Sequence, residues 1–476
     1  MKFSRTLAVL IAAAAVSLPA VAQDQTAAKA PALTVAQART VDGLIDAGLD
    51  DDLAWDILES ITTEIGPRLG GSPAEARARD WGAAKLKALG FKNVRIETFE
   101  MPYWARVSES AEIISPFPQP LYITALGQSA ATPAGGLTAE VVRFGTLPEL
   151  EAASETGLEG KIVFVDEPMA RTQDGSGYGT AVRKRGLAAV EASKRGAVAV
   201  LIRSVGTDNH RNPHTGGGAR SGNLTAVPAA ALSNPDADQL ARVIERAKGP
   251  VSVKLDIQVQ VEEKVISGNV VGEIPGQTDE LIVIGGHLDS WDLGTGAIDD
   301  GAGIAITTAA AKLVGDLNGK PKRTIRVVMW GSEEVGVHGG RAYAEAHADE
   351  ADRHIVAAES DFGAGRIYRF DTKFGESALP KAVPMAQALR RLAIIPGGNT
   401  ANGGADISGI ARLGGPVVSL RQDGSDYFDL HHTPDDTLDK VNLDDLRQNV
   451  AAWAAFIYMA SEMEDDFGRT SVASDE

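Results

Sequence analysis

"ELIVIGGHLDSWDLGTGAIDDGAGIAITTAAAKLV" runs from Glu280 to Val314. It opens on an aliphatic run that ends in two glycines and a histidine. A short apolar run without alternation suits a strand covered on both faces, as in a parallel sheet. Asp289 follows, then a glycine-rich turn, then Asp299 and Asp300 at the mouth of an alanine-rich helix. Strand, loop and helix together make one unit of a layered α/β fold.

The same pattern repeats from about residue 264 onward. "RTIRVVMWGSEEVG", "RHIVAAESDFG" and "GPVVSLRQDG" read as further strands, with helical stretches between them. The expected architecture is therefore α/β, a mostly parallel mixed sheet flanked by helices. Three of its strands end in groups able to bind metal: His287, then Glu333 and Glu334, then Asp361. The fourth leads one loop later to "YFDLHHTPDDT", which carries His431, His432 and Asp436. Chemistry in an open parallel sheet gathers at the carboxyl ends of strands, so these groups should converge.

Upstream, a helix is expected over 52–65, where Leu53, Ile57, Ile61 and Ile65 share one face. Ser72, Pro73 and Glu75 read as N-cap, first turn and capping-box glutamate of a second helix, which Gly90 ends. "KNVRIETFEM" then reads as a strand. Residues 112–262 differ in texture, with short strands, helices and Gly/Asn/Pro-rich loops, and read as a smaller domain inserted into a larger one. The larger domain would comprise 41–111 and 263–465, preceded by a poorly ordered leader over 23–40 and followed by an acidic tail over 466–476.

Lys2 and Arg5, an apolar stretch and the small residues Ala20 and Ala22 give residues 1–22 the form of a secretory signal peptide. An exported protein, periplasmic or secreted and without membrane insertion, is expected. The formal net charge of −18 argues against nucleic acid, whose phosphates it would repel. Cysteine is absent, which removes thiolate catalysis and leaves any metal to His, Asp and Glu.

Singly, each of these signals has an ordinary structural reading: Asp299 and Asp300 as helix caps, the Glu333–Glu334 pair as a solvated face, the paired histidines as surface. Jointly, two histidines and several carboxylates at successive strand ends suit two divalent ions sharing a carboxylate. Asp299 is placed to be that bridge. Glu333 and Glu334 project in different directions, so one can bind metal while the other handles protons. Asp289 can orient the His287 imidazole.

"HLDSWDLGTGAIDDGAG", "WGSEEVGVHG", "ESDFG" and "HHTPDDT" resemble, in order and spacing, the motifs of the co-catalytic zinc exopeptidases, and most closely the carboxypeptidase Q-like branch. "GKIVFV", "GAVAVLI" and "VPAAALS" make the inserted domain similar to a protease-associated domain. The resemblance implies two zinc ions per chain, with His287 and Asp361 on one, Glu334 and His432 on the other, and Asp299 between them. It implies Glu333 as general base, with Asp289 supporting His287 and Asp436 supporting His432. His431 stands where many relatives carry a tyrosine that polarises the scissile carbonyl. The activity implied is hydrolysis of short unblocked peptides, dipeptides above all, by an enzyme of homodimeric kind. Alternatives on the same scaffold are an aminopeptidase for longer peptides, an amidase or deacylase, a glutaminyl cyclase, and a receptor-like protein without catalysis. Asp406 reads as a helix N-cap or pocket lining. Glu333 and Asp299, with Asp406 or Asp426, would hold the substrate amine, and Arg421 its carboxylate or only solvent. His210 and His214 belong either to a surface loop or to a loop that leans over the site and limits substrate length.

Overall fold

The computed structural model describes residues 32–218 and 227–470. The signal-peptide reading of residues 1–22 lies outside them. The first strands are β1 (Lys92–Ser115), β2 (Gln119–Leu121), β3 (Ile123–Ala125) and β4 (Leu137–Phe144). Next come β5 (Ile162–Val165), β6 (Ala199–Arg203), β7 (Ala229–Leu232) and β8 (Ser252–Ile274). The last six are β9 (Leu281–His287), β10 (Thr324–Trp330), β11 (His354–Glu359), β12 (Ile367–Lys373), β13 (Ile395–Pro396) and β14 (Val417–Gln422). Among the described residues they form one path, β13-β12-β14-β11-β9-β10-β8-β4-β5-β6-β7-β3, with β1 paired to β8 and β2.

The larger lobe is a mixed, mostly parallel sheet flanked by helices. β10, β9, β11 and β14 run parallel, while β12 runs antiparallel to β14 and β8 antiparallel to β10. Alternate residues of β9 go to opposite faces. Ile282 and Ile284 join a core with the helices Val35–Leu49, Leu53–Ser60, Ala302–Gly315 and Leu443–Glu462. Leu281 and Val283 join a second core with Tyr343, Ile407 and Ile410 on the other side. Burial on both faces is why β9 reads as an unbroken apolar run. The register places His287 opposite Trp330 and Gly285 opposite Glu359, so the three strand tips finish nearly level.

Two expectations about the ends need correction. The stretch 23–40 is not all leader: a helix begins at Val35, set by a reciprocal capping box between Thr34 and Gln37. The stretch 466–476 is not all tail either. Phe467 is fully buried, its ring 4.7 Å from that of Phe374. The expected domain boundaries at 112 and 262 fall inside β1 and β8, which pair from Lys92–Glu273 to Ser115–Ser252 and run from one lobe into the other. β8 pairs with β10 at one end and with β4 at the other, so no linker separates the lobes. Of the expected helices, 52–65 forms as Leu53–Ser60 extended by a π turn over Ile61–Ile65. Ser72 caps Pro73–Ala88, and Gly90 follows with φ of 89°. Glu75 does not close a capping box. Its buried carboxylate pairs instead with Arg79 and Ser267, as burial of a charge demands.

Candidate active site

β9 carries His287 to the end of the sheet, and the two glycines before it are explained by crowding. A Cβ on Gly285 would meet the Val328 carbonyl at 1.9 Å, and one on Gly286 the Asp300 carboxylate at 2.4 Å. Asp300 sits there because its carboxylate accepts from the backbone N–H of His287 and of Gly303. It ties the strand tip to the start of the next helix. That is the capping reading of this acid, fulfilled in part by the strand. Its neighbour Asp299 turns the other way, into the space between the strand ends.

There Asp299 meets two histidines from opposite sides. Its Oδ1 lies 3.1 Å from His287 Nε2, and its Oδ2 lies 3.1 Å from His432 Nε2. His287 Nε2 is also 3.6 Å from Asp361 Oδ1, and His432 Nε2 is 3.0 Å from Glu334 Oε2. Glu333 stands partly exposed beside them, and Asp361, Asp406 and Glu334 are the acids that act on it most strongly. His431 stacks on His432 with ring centroids 3.4 Å apart, and its Nε2 comes within 3.5 Å of Asp299 Oδ2. The structure thus brings His287, Asp299, Glu333, Glu334, Asp361, His431 and His432 together.

The supporting acids act differently from expectation. The Asp289 carboxylate is 3.7 Å from His287 Nδ1, too far for a hydrogen bond; the bond goes to the Asp289 carbonyl, at 3.0 Å. The carboxylate instead accepts from the N–H groups of Glu333 and Glu334, at 2.9 and 3.3 Å, and fixes that turn. Asp436 does not support His432. It accepts from the N–H groups of Ile298 and Asp299, at 2.6 and 3.3 Å, and so holds the loop that presents Asp299. The group at His432 Nδ1 is the Thr215 carbonyl, 3.2 Å away in the smaller lobe.

The remaining candidates divide. Asp406 is buried, but it does not cap its own helix. It accepts from Gly340 N at 2.8 Å, at the start of the helix His338–Ala346, while its own N–H bonds Glu359. Arg421 is withdrawn from the site by Asp371, 2.9 Å away on the neighbouring strand. Asp426 leaves it altogether, with a side chain 90% exposed that pairs with Arg171. His210 is exposed and pairs with Asp435, whereas His214 is buried against the carbonyl of His431.

Sequence reasoning missed two arginines. Arg68, in the "GPRLGG" segment, is fully buried and donates to the carbonyls of Leu288, Thr295 and Gly296, which clamps the loop between His287 and Asp299. A lone arginine between glycines in a stretch of turn residues was the available signal. Arg185, from the helix Ser176–Lys194 of the smaller lobe, reaches within 3.4 Å of His432 Nδ1. It bonds the Gly217 carbonyl and Tyr178 hydroxyl, and no described carboxylate pairs with it.

The electrostatics fit cations. Burial pushes Glu333, Glu334 and Asp361 up, and the neighbouring acids push Glu333 further. Burial acts the same way on Asp299, but the close imidazoles of His287 and His432 outweigh it and hold that carboxyl well below its usual range. Burial would lower His432, yet Glu334 and Asp299 raise it to about 9. His431 is pushed well down by burial and by the charge of His432. Asp299 Oδ2 and Glu334 Oε1 are buried without a hydrogen bond, and buried charges of this kind are satisfied by partners or metal. Donor atoms around one tetrahedral zinc lie about 3.3 Å from each other. The separations here, 3.0 to 3.6 Å, match that spacing. Two groups of potential ligands share Asp299: His287 with Asp361, and His431 with His432.

Residues 269–457, the span that holds all these groups, match the model of peptidase family M28. Over 440 residues the chain is 32% identical to carboxypeptidase Q of Mus musculus, covering 91% of each chain. The chain belongs to peptidase family M28. As a member it is a metallopeptidase. A solved structure of a peptidase M28 precursor from Shewanella amazonensis is 47% identical, with a TM-score of 0.87, and covers 91% of this chain and 98% of its own. The zinc aminopeptidase of Bacillus subtilis shares the fold at 18% identity, with a TM-score of 0.64 over 88% of this chain and 97% of its own. The α/β exopeptidase fold expected from the sequence is the fold of the M28 chain.

Proposed function

We propose that this M28 chain hydrolyses short peptides with a free amine, dipeptides above all, at two zinc ions. His287 and Asp361 would hold one ion, Glu334 and His432 the other, with Asp299 between. The observation that carries this reading is Asp299, each of whose oxygens faces a different histidine 3.1 Å away. When bound, such ions supply Lewis acidity and make water a better acid at neutral pH.

Glu333 then accepts the proton of the attacking water at its carboxylate and passes it to the departing amine as the C–N bond breaks. Its pKa, raised by desolvation and by the neighbouring acids, keeps the proton available for that second transfer. Nearby cations work in the opposite direction and favour the ionised carboxylate that accepts the proton. Neutral His431 retains one N–H for the carbonyl oxygen that becomes negative, and its Nδ1 has no described partner. We read the smaller lobe as a protease-associated domain that closes one side of the site. Arg185 is its contribution to specificity: a guanidinium without a described carboxylate partner, beside His432, suits the free carboxylate of a dipeptide.

The test is a panel of dipeptides with free and acetylated amines, and longer peptides, assayed with zinc-loaded protein. Unblocked dipeptides should be cleaved at least about 10²-fold faster than acetylated ones, the scale of a lost charged hydrogen bond in a closed site. Equal rates on both would mean an amidase or deacylase. Faster turnover of longer peptides would mean an aminopeptidase.

Zinc uptake should also expel protons. A ligand imidazole must be neutral, but His432 holds its proton up to about pH 9 in the metal-free protein. Binding at pH 7 therefore displaces that proton, and affinity rises with pH until about 9. Calorimetric titration in buffers of different ionisation heat reads this directly; an enthalpy independent of buffer would contradict it.

We further propose export, on the signal-peptide form of residues 1–22. The mature chain should begin at Gln23, and an intact mass that retains Met1 would refute the processing. Among the described residues, no helix is long and apolar enough to cross a membrane.

A further inference from the structure

We propose that His214, in the smaller lobe, is a positioning residue that fixes the backbone at His432 and, through the adjacent Thr215 carbonyl, its tautomer. This inference rests on the reading of His432 as a metal ligand. His432 has a φ of 62°, in the left-handed region that side chains with a Cβ rarely occupy. Such a conformation persists only where the surroundings hold it.

Here the holding groups come from the other lobe. Thr215 N donates to the His432 carbonyl at 3.1 Å, and the Thr215 carbonyl lies 3.2 Å from His432 Nδ1. The adjacent His214 Nδ1 lies 2.7 Å from the His431 carbonyl. A carbonyl only accepts, so His214 Nδ1 carries hydrogen; at His432 Nδ1 the Thr215 carbonyl, at 3.2 Å, lies nearer than the Arg185 guanidinium, at 3.4 Å, and favours a hydrogen on that atom too. With its hydrogen on Nδ1, His432 presents the lone pair of Nε2 toward Asp299 and Glu334. The lobe thereby selects the tautomer able to bind an ion.

His214 is itself fixed from several directions. Its side chain is 0% exposed, with Nε2 2.6 Å from Asp208 Oδ1. Its backbone N donates to Ser204 Oγ, which in turn donates to the Leu232 carbonyl. Asn234 Nδ2 donates to the carbonyls of Gly206 and Asp208, holding the turn that carries the carboxylate. Gly206 leaves space for the ring, since a Cβ there would lie 2.2 Å from His214 Nε2. Other bonds between the lobes, such as Thr207 N to the Phe428 carbonyl, attach the loop without touching the histidine pair. His214 and Thr215 are the residues of this loop whose bonds reach it, beside Arg185 and Tyr178 from the helix Ser176–Lys194.

Two amide variants separate positioning from simple packing. In His214→Asn the side-chain nitrogen falls where Nδ1 was and keeps the bond to the His431 carbonyl, but it loses Asp208. In His214→Gln the nitrogen falls where Nε2 was and keeps Asp208, but it loses His431. Zinc affinity of the full chain is read by competition with a chromophoric chelator, and stability by thermal unfolding of the metal-free protein. We expect the Gln variant to bind one of its two ions about 10–100-fold more weakly, the range for lost support of a ligand. The Asn variant should stay close to wild type in affinity while unfolding at the lower temperature. Equal affinities in the two variants, or affinities that simply follow stability, overturn the proposal. His432→Ala serves as the control: if it binds both ions with wild-type affinity, the ligand assignment itself fails, whatever His214 does.

Discussion

Replacing Glu333 by Gln lowers kcat by about 10²–10⁴-fold, the span attributed to a positioned general base, with zinc content unchanged. The substitution preserves shape, and its backbone N–H keeps its bond to Asp289, so the turn that presents Glu334 stays in place. What disappears is the proton acceptor. The carboxylate is not among the groups in contact with His287 or His432, so neither ion should lose a ligand. The two readouts are steady-state kcat on an unblocked dipeptide and metal per chain by elemental analysis. A kcat within tenfold of wild type would remove Glu333 from the mechanism. Lost zinc at unchanged kcat per bound ion would instead make it a ligand.

How much of this was legible in the sequence depends on whether a property is local or made by contact. β9 was legible because burial on both faces leaves a continuous apolar run, and the close approach of Val328 and Asp300 leaves two glycines. The residues that meet at the strand ends were legible because a parallel sheet places its carboxyl ends together. Their supports were not. Whether Asp289 bonds an imidazole or two backbone N–H groups is decided by angles that spacing does not carry. Arg421 shows the same limit: its partner Asp371 is fifty positions away in sequence and adjacent only across the sheet. The leader was misread for a different reason. Thr34 and Gln37 form a capping box, a short signal inside a stretch with no apolar periodicity before it. The boundaries at 112 and 262 followed a change of texture, whereas β1 and β8 continue through it because their pairing with each other outlasts the change of neighbours. Arg68 and Thr215 act through or upon backbone carbonyls, a use that leaves little trace in residue type.

Asp299→Ala should lose both ions and all measurable turnover. The two histidines approach this one side chain from opposite sides, and among the described residues no other carboxylate lies within 4.0 Å of both. Asp361→Ala makes the informative contrast. It removes a partner of His287 only, so one ion should remain, held through Glu334, His432 and Asp299. Fold collapse does not explain the difference, because the backbone N–H of residue 299 still bonds Asp436 and Asp300 still ties β9 to the following helix. Thermal unfolding gives an independent reading. A ligand that binds the native state alone raises stability by RT ln(1 + [L]/Kd), about 4 kcal/mol at a thousandfold excess over Kd. Zinc should therefore raise the Tm of the wild type and, by less, of Asp361→Ala, and leave that of Asp299→Ala unmoved. Two ions per chain in Asp299→Ala would rule out the bridge, and the histidines would then have to bind their ions independently.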